Sequence, residues 1–242
     1  MIDTIQAGRY AVGVLYEDNH LLVVVKPPNL PVQADSSGDL DLLTALKGYI
    51  GHKYQKPGNV YMGLVHRLDR PVGGVMVFAR TSKAAARLSK DFADHAQDKR
   101  YLAVLQGELD GPRTLEDHLL KGGDGMVRVV PADRPGAKAA RLITTPTAQR
   151  EGLTLTEVQL FTGRAHQIRV QHAHAGFPLW GDARYGGGRP GEQIALWAWS
   201  LSFKHPTRDE RLRFACPPPR SGIWRIFSDV IEDRFSDAEK RA

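Results

Sequence analysis

Cysteine is almost missing from this chain: Cys216 stands alone among 242 residues. That excludes an intramolecular disulfide and a thiolate zinc cluster, and a reducing compartment suffices. Long apolar runs are missing as well, and no window approaches the roughly 20 residues that a membrane span requires. The first residues, Met1 to Arg9, carry neither the basic region nor the apolar stretch of a secretory leader, so a cytoplasmic protein is expected. Acidic residues are outnumbered, 27 against 33 Lys and Arg, and the net charge of +6 suits a polyanionic partner without requiring one. Repeats and low-complexity tracts are absent. With 42% apolar residues the chain can bury a large core, and we expect one domain over residues 1–235 followed by a polar tail, 236–242.

The chain is organised around Gly63-Leu64-Val65-His66-Arg67-Leu68-Asp69-Arg70-Pro71-Val72-Gly73-Gly74-Val75. Pro71, Gly73 and Gly74 force a turn before the apolar run Val75–Ala79, so Asp69 sits on a loop between two strands. Arg67 and Arg70 flank it, and two guanidinium groups so near would favour the ionised carboxylate of a nucleophile or base. The same pattern also suits a surface ion pair.

Strands are expected over Val12 to Leu15 and Leu21 to Val25, with Glu17-Asp18-Asn19 turning between them. Lys26 ends the second, as a cleft residue, a phosphate contact or a solvated lysine. Asp39 opens a helix with Leu42, Leu43, Leu46 and Ile50 on one face, closed by Gly51. Thr81 or Ser82 caps another, with Ala85, Leu88, Phe92 and Ala96 at helical spacing. Further strands are read at 100–106, 127–130, 139–145, 153–161 and 194–203, and Lys121-Gly122-Gly123-Asp124-Gly125 is a hairpin turn rather than a P-loop. Residues 164–175 form a helix ended by Gly176 and Pro178, and Ile223, Phe227, Val230 and Ile231 mark a last one. The fold class is therefore α+β, a mixed, mainly antiparallel sheet with flanking helices.

His66 to Gly74 resembles the signature of the RluA-type pseudouridine synthases. Lys99-Arg100-Tyr101-Leu102-Ala103-Val104, Thr162 to Val170 and Gly181-Asp182-Ala183-Arg184-Tyr185-Gly186 resemble that family's later motifs in the same order, so the likeness spans residues 14 to 206. The resemblance implies an isomerase that converts uridine to pseudouridine in ribosomal or transfer RNA. It breaks the N1–C1′ bond, turns the uracil and joins C5 to C1′, with no cofactor and no metal. It also implies Asp69 as the catalytic carboxylate, Tyr101 stacking on the flipped base and Arg169 pairing with the carboxylate. Arg67 would fill the space of the extruded nucleotide, and Leu196, Arg164 and His166 would line the substrate site. The expected enzyme is a monomer without an obligate protein partner, a membrane or a preceding RNA-binding module.

Other readings compete. His66, His166, His172 and His174 invite a metal site, but no Asp or Glu occurs between Glu157 and Asp182 to complete one. A hydrolase using Asp69 and His66 lacks a Gly-x-Ser-x-Gly elbow. An RNA-binding protein without turnover would need none of Asp69, Tyr101 and Arg169. Departures from the family pattern are Val72 and Gly73 where a hydroxyl is common, Ala165 for Thr and Trp197 for His, which bear on loop rigidity and substrate choice. Cys216, next to Pro217-Pro218-Pro219, is read as a structural thiol.

Overall fold

Two apolar runs, Leu21–Val25 and Val75–Ala79, are apolar at every position rather than alternately, which is the pattern of strands covered on both faces. The computed structural model, which describes residues 3–189 and 191–240, builds them as neighbouring antiparallel strands. Its described residues form twelve strands and four α-helices, and nine of the strand pairs run antiparallel. This is the mainly antiparallel α+β class expected. The chain divides into two compact units, Met1–Gln97 with Ser200–Cys216, and Asp98–Trp199 with Pro217–Ala242.

The first unit begins with β1 (Thr4–Ala7), β2 (Tyr10–Glu17) and β3 (Leu21–Lys26), continues through α1 (Leu42–Lys53) and β4 (Gly63–Leu64) to β5 (Gly73–Ala79), and closes with α2 (Ser82–Ala93). Its strand order is β1-β2-β3-β5, with β4 also on β5. Leu21 and Val23 of β3, Val75, Val77 and Ala79 of β5, and Ala84 and Leu88 of α2 form one core. The strand residues recur every second position and the helix residues at i, i+4, so each element turns one face inward. Gly63 allows β4 to approach α2, since a Cβ there would lie 2.7 Å from Ala85 Cβ. Thr81 caps α2, accepting from Ala84 N–H.

Helix α1 differs from expectation at both ends. Its cap is Asp41, whose carboxylate accepts from the Thr44 N–H and hydroxyl, a contact worth about 1 kcal/mol. Asp39 is instead drawn to Arg70. Gly51 lies inside the helix, where its missing side chain lets Val60 pack closely, and the helix runs on to Lys53. Leu42, Leu46 and Ile50 are buried as expected, each contributing about 1.5–3 kcal/mol.

The second unit contains β6 (Asp98–Gln106), β7 (Arg113–Lys121), β8 (Val127–Val130), β9 (Lys138–Arg150) and β10 (Leu153–Leu160), in the order β6-β10-β9-β7-β8. Glu151 and Gly152, at φ 55° and 70°, make the two-residue turn of the β9–β10 hairpin. The Gly122–Gly125 turn joins β7 and β8 as read from the sequence, with Gly122 N–H on Met126 O. Pro146 has no N–H to give, and the ladder shifts there: Thr147 is left over, and its hydroxyl donates to Leu155 O. Helix α3 (Gln167–His174) is three residues shorter at its start than expected, because His166 adopts a left-handed conformation. Strand β11 (Leu196–Lys204) gives its first half to this unit and its second half to the first unit, where β12 (Arg211–Ala215) pairs with it. A 3₁₀ turn, Gly222–Phe227, leads into α4 (Ser228–Lys240), so the segment read as a polar tail begins as helix, and residues 241–242 lie outside the described residues.

Candidate active site

Asp69 stands on the β4–β5 loop, half-buried, and the loop is held from beneath by its backbone. Val72 N–H donates to Asp69 O, closing a turn. Arg70 O accepts from both Asn29 N–H and Lys26 Nζ. Gly74 follows at φ 127°, a conformation that suits glycine. His66 accepts the Val77 N–H through Nε2 and stacks on Phe92 at 4.8 Å, so that nitrogen is occupied as a scaffold contact and does not serve as a hydrolase base.

Lys26 is fully buried and is neither a solvated lysine nor a cleft-lining phosphate contact. Its ammonium donates to Pro27 O, Leu30 O and Arg70 O at 3.0, 2.8 and 3.0 Å. Burial pushes its pKa down to about 7, against the opposing pull of the Asp69 charge. Arg70, expected to face Asp69, turns its guanidinium to Asp35, Ser37 and Asp39. The cation that acts on Asp69 from within this unit is Lys26, 43 positions away in sequence rather than one. Arg67 is exposed and makes no hydrogen bond or ion pair among the described residues. The Val72 side chain is buried, and the Lys26 and Asn29 contacts hold the loop beside it at Arg70 O.

The second unit carries the other candidates. Tyr101 lies on β6 opposite Val158, its side chain nearly buried, and Leu196 is a buried residue at the start of β11. Gln167 organises the 162–167 loop: its carbonyl accepts the Thr162 hydroxyl and Arg164 N–H, and its amide donates to Arg141 O. Arg164 Nε donates to Ala139 O. His166, at φ 52°, has Nδ1 2.7 Å from Tyr185 Oη, which itself accepts Val127 N–H and so keeps its own hydrogen for the histidine. Arg169 is buried on α3, with Nε and Nη2 on the two oxygens of Asp182 at 2.8 and 2.7 Å. Burial opposes ionisation of Asp182, but the Arg169 fork and the Arg184 and Tyr185 N–H groups outweigh it and hold its pKa below the usual carboxylate range. Gly181 is required there, because its φ is 69° and a Cβ would lie 2.6 Å from Gln193 O.

The loop thus groups Arg67 with Asp69, and the second unit groups Arg164, His166 and Arg169 around one loop and helix. Three residues were not singled out from the sequence. Asp182 and Tyr185 fall inside a quoted motif, and their roles follow from contacts made across 13 and 19 positions. Lys99 was legible as the residue two before Tyr101, on the same strand face. It is 9% exposed, and burial with the nearby Arg164 charge lowers its pKa to about 8. His172 is buried and brought down to about 4 by that burial, with Nδ1 2.7 Å from Ile168 O, the arrangement of a neutral scaffold imidazole. No group of three or more His, Cys, Asp or Glu side chains able to hold a metal occurs among the described residues. Burial raises the Cys216 thiol to about 11, which keeps it unreactive.

A family model described as RNA pseudouridylate synthase matches residues 20–174. The chain is 36% identical over 228 residues to an uncharacterised RNA pseudouridine synthase, YjbO, of Bacillus subtilis, across 90% of this chain and 76% of that one. It is 32% identical over 241 residues to ribosomal large subunit pseudouridine synthase D of Pseudomonas aeruginosa, across 91% and 72%. Among solved structures, human RNA pseudouridylate synthase domain containing 4 shares the fold at a TM-score of 0.71 and 23% identity, over 86% of this chain and 88% of that chain. No helix among the described residues is long and apolar enough to cross a membrane.

Proposed function

The chain belongs to the RNA pseudouridylate synthase family, whose members isomerise uridine in RNA, and from that membership we propose that Asp69 is the carboxylate that acts on the uridine. One observation carries the assignment. The backbone around Asp69 is tied down by Lys26, Asn29 and Val72, while the neighbouring Arg70 is drawn off by Asp35 and Asp39. A fixed loop with a half-buried carboxylate beside a buried cation is what a positioned nucleophile or base needs.

The isomerisation breaks N1–C1′ and forms C5–C1′; the C5 proton is lost and N1 gains one, so no redox partner enters. Asp69 either attacks C1′ or removes a sugar proton to give a glycal, and both routes begin from the ionised carboxylate. Tyr101 offers a flat apolar face to the flipped base and a hydroxyl for proton transfer at C5. Arg67, exposed and without a partner among the described residues, fills the gap in the RNA left by the extruded nucleotide and offsets part of its cost of a few kcal/mol. Arg169, the arginine that the family pattern pairs with the catalytic carboxylate, is held on α3 by Asp182. Ribosomal RNA is the substrate class we propose, following the named function of the Pseudomonas relative, and a cytoplasmic monomer is the form we propose for the enzyme.

Tritium release from C5-labelled uridine in RNA tests the assignment. Asp69→Asn should abolish release while circular dichroism and thermal midpoint stay as in the native protein; release within tenfold of native would remove Asp69 from the role. Mapping pseudouridines in a strain lacking the gene tests the substrate: sites lost from transfer RNA alone would overturn the ribosomal reading.

A further inference from the structure

Four buried lysines and arginines can be compared among the described residues; Arg80 has the Glu17 carboxylate and the Asp18 carbonyl, and of the other three one is left over. Lys26 has three carbonyl acceptors and Arg169 has the Asp182 carboxylate. Lys99 is 91% buried, yet among the described residues it has neither a hydrogen-bond acceptor nor an acidic partner. The charged group that acts on it is Arg164, of the same sign. A largely desolvated ammonium without a partner costs stability, and a ligand that reaches it would offset that cost.

The surroundings bear on the chemistry of that ligand. Lys99 Nζ lies 3.2 Å from the position a Cβ on Gly163 would occupy, so this glycine keeps open the space beside the ammonium. Arg164, next in sequence, uses Nε on Ala139 O, and its terminal nitrogens have no acceptor among the described residues. From Glu157 to Asp182 the chain holds no intervening carboxylate. An ammonium and a guanidinium close together, with no acid among the charged groups that act on Lys99, suit a phosphate oxygen cluster.

We propose that Lys99, Gly163 and Arg164 form a pocket for one backbone phosphate of the RNA substrate. The proposal rests on the RNA reading above and deepens it. Lys99 and Tyr101 point to the same side of β6, about 7 Å apart along the strand, so the phosphate held is one flanking the uridine on which Tyr101 stacks. With a pKa near 8, Lys99 carries its charge at neutral pH.

The experiment uses the full chain and an unmodified transcript of large-subunit ribosomal RNA, with binding measured from low to moderate salt and single-turnover tritium release measured at saturating RNA. Lys99→Met should weaken binding about tenfold at low salt and make the slope of log K against log salt shallower by about 0.7–1, the loss of one phosphate contact. Its release rate at saturation should stay within about threefold of native, and its thermal midpoint without RNA should rise, because an uncompensated buried charge has gone. Arg164→Gln should lower the slope in the same way. An unchanged slope overturns the pocket, as does a fall in midpoint with unchanged RNA affinity, which would make Lys99 structural. A collapsed rate with native binding would move Lys99 to the chemistry and also overturn it. If the native protein binds the transcript but releases no tritium, the isomerase reading fails while the slope still decides the pocket.

Discussion

The Asp69 loop and the Arg169 helix handle charge in opposite ways. In the loop, backbone groups carry the structural load: Lys26 gives its ammonium to three carbonyls, and Asp69 is half-buried above them. On α3 the two charges lock each other, Arg169 with Asp182, both buried and bidentate. A carboxylate held through its main chain can do chemistry, whereas one gripped at both oxygens serves geometry. Neighbouring charges in sequence are a poor guide to which case applies, as Arg70 turning away from Asp69 demonstrates.

Substituting the two carboxylates should break this contrast most sharply. Asp69→Asn should cost about 10²–10⁴-fold in single-turnover rate or more, with stability nearly unchanged. Asp182→Ala should instead strip the buried Arg169 cation of its bidentate carboxylate, lowering stability by about 3–5 kcal/mol in urea unfolding. If Asp182→Ala unfolds like the native protein, its pairing with Arg169 is not structural. Acid should act on the same pair. The folded pKa of Asp182 is depressed, so its contribution is present above the unfolded carboxylate value and is lost as pH falls through the lower folded one.

Lys26→Met should cost about 1–3 kcal/mol by leaving carbonyls under the loop unsatisfied, and should slow turnover with it. Its pH dependence has a definite sign. The folded pKa near 7 lies below the ordinary 10.5, so the unfolded chain holds a proton the native one has released, and native stability rises between those values. Relative to Lys26→Met, the native protein should therefore gain stability from pH 7 toward 10; a flat difference would mean that Lys26 is not desolvated. Tyr101→Ala should weaken RNA binding by about 1–3 kcal/mol, independently of salt, and Tyr101→Phe should restore that binding and isolate the hydroxyl in the rate. Exhaustive chelation should change nothing, provided monovalent salt keeps the RNA folded; a strict divalent requirement of the protein would reopen the histidine readings.

Local pattern determined much of this protein. Period-two and fully apolar runs located β2, β3, β5, β6 and β8 to β11, the turn residues at Gly122–Gly125 announced a hairpin, and Thr81 announced the start of α2. These succeed because strand burial, turn conformation and capping depend on residues within a few positions. The motif around Asp69 was legible for the same reason. Strand β7 was not, because Arg113-Thr114-Leu115-Glu116-Asp117 is largely charged and becomes a strand through its pairing with β9. Only the tertiary structure decided which charges meet: that Lys26 reaches Arg70 O across 44 positions, that Asp182 takes Arg169, and that Lys99 is buried beside Arg164 with no acidic partner among the described residues. Burial and Coulomb energy depend on distance in space, and a sequence read along its length has no access to distances closed by the folding of strands onto one another.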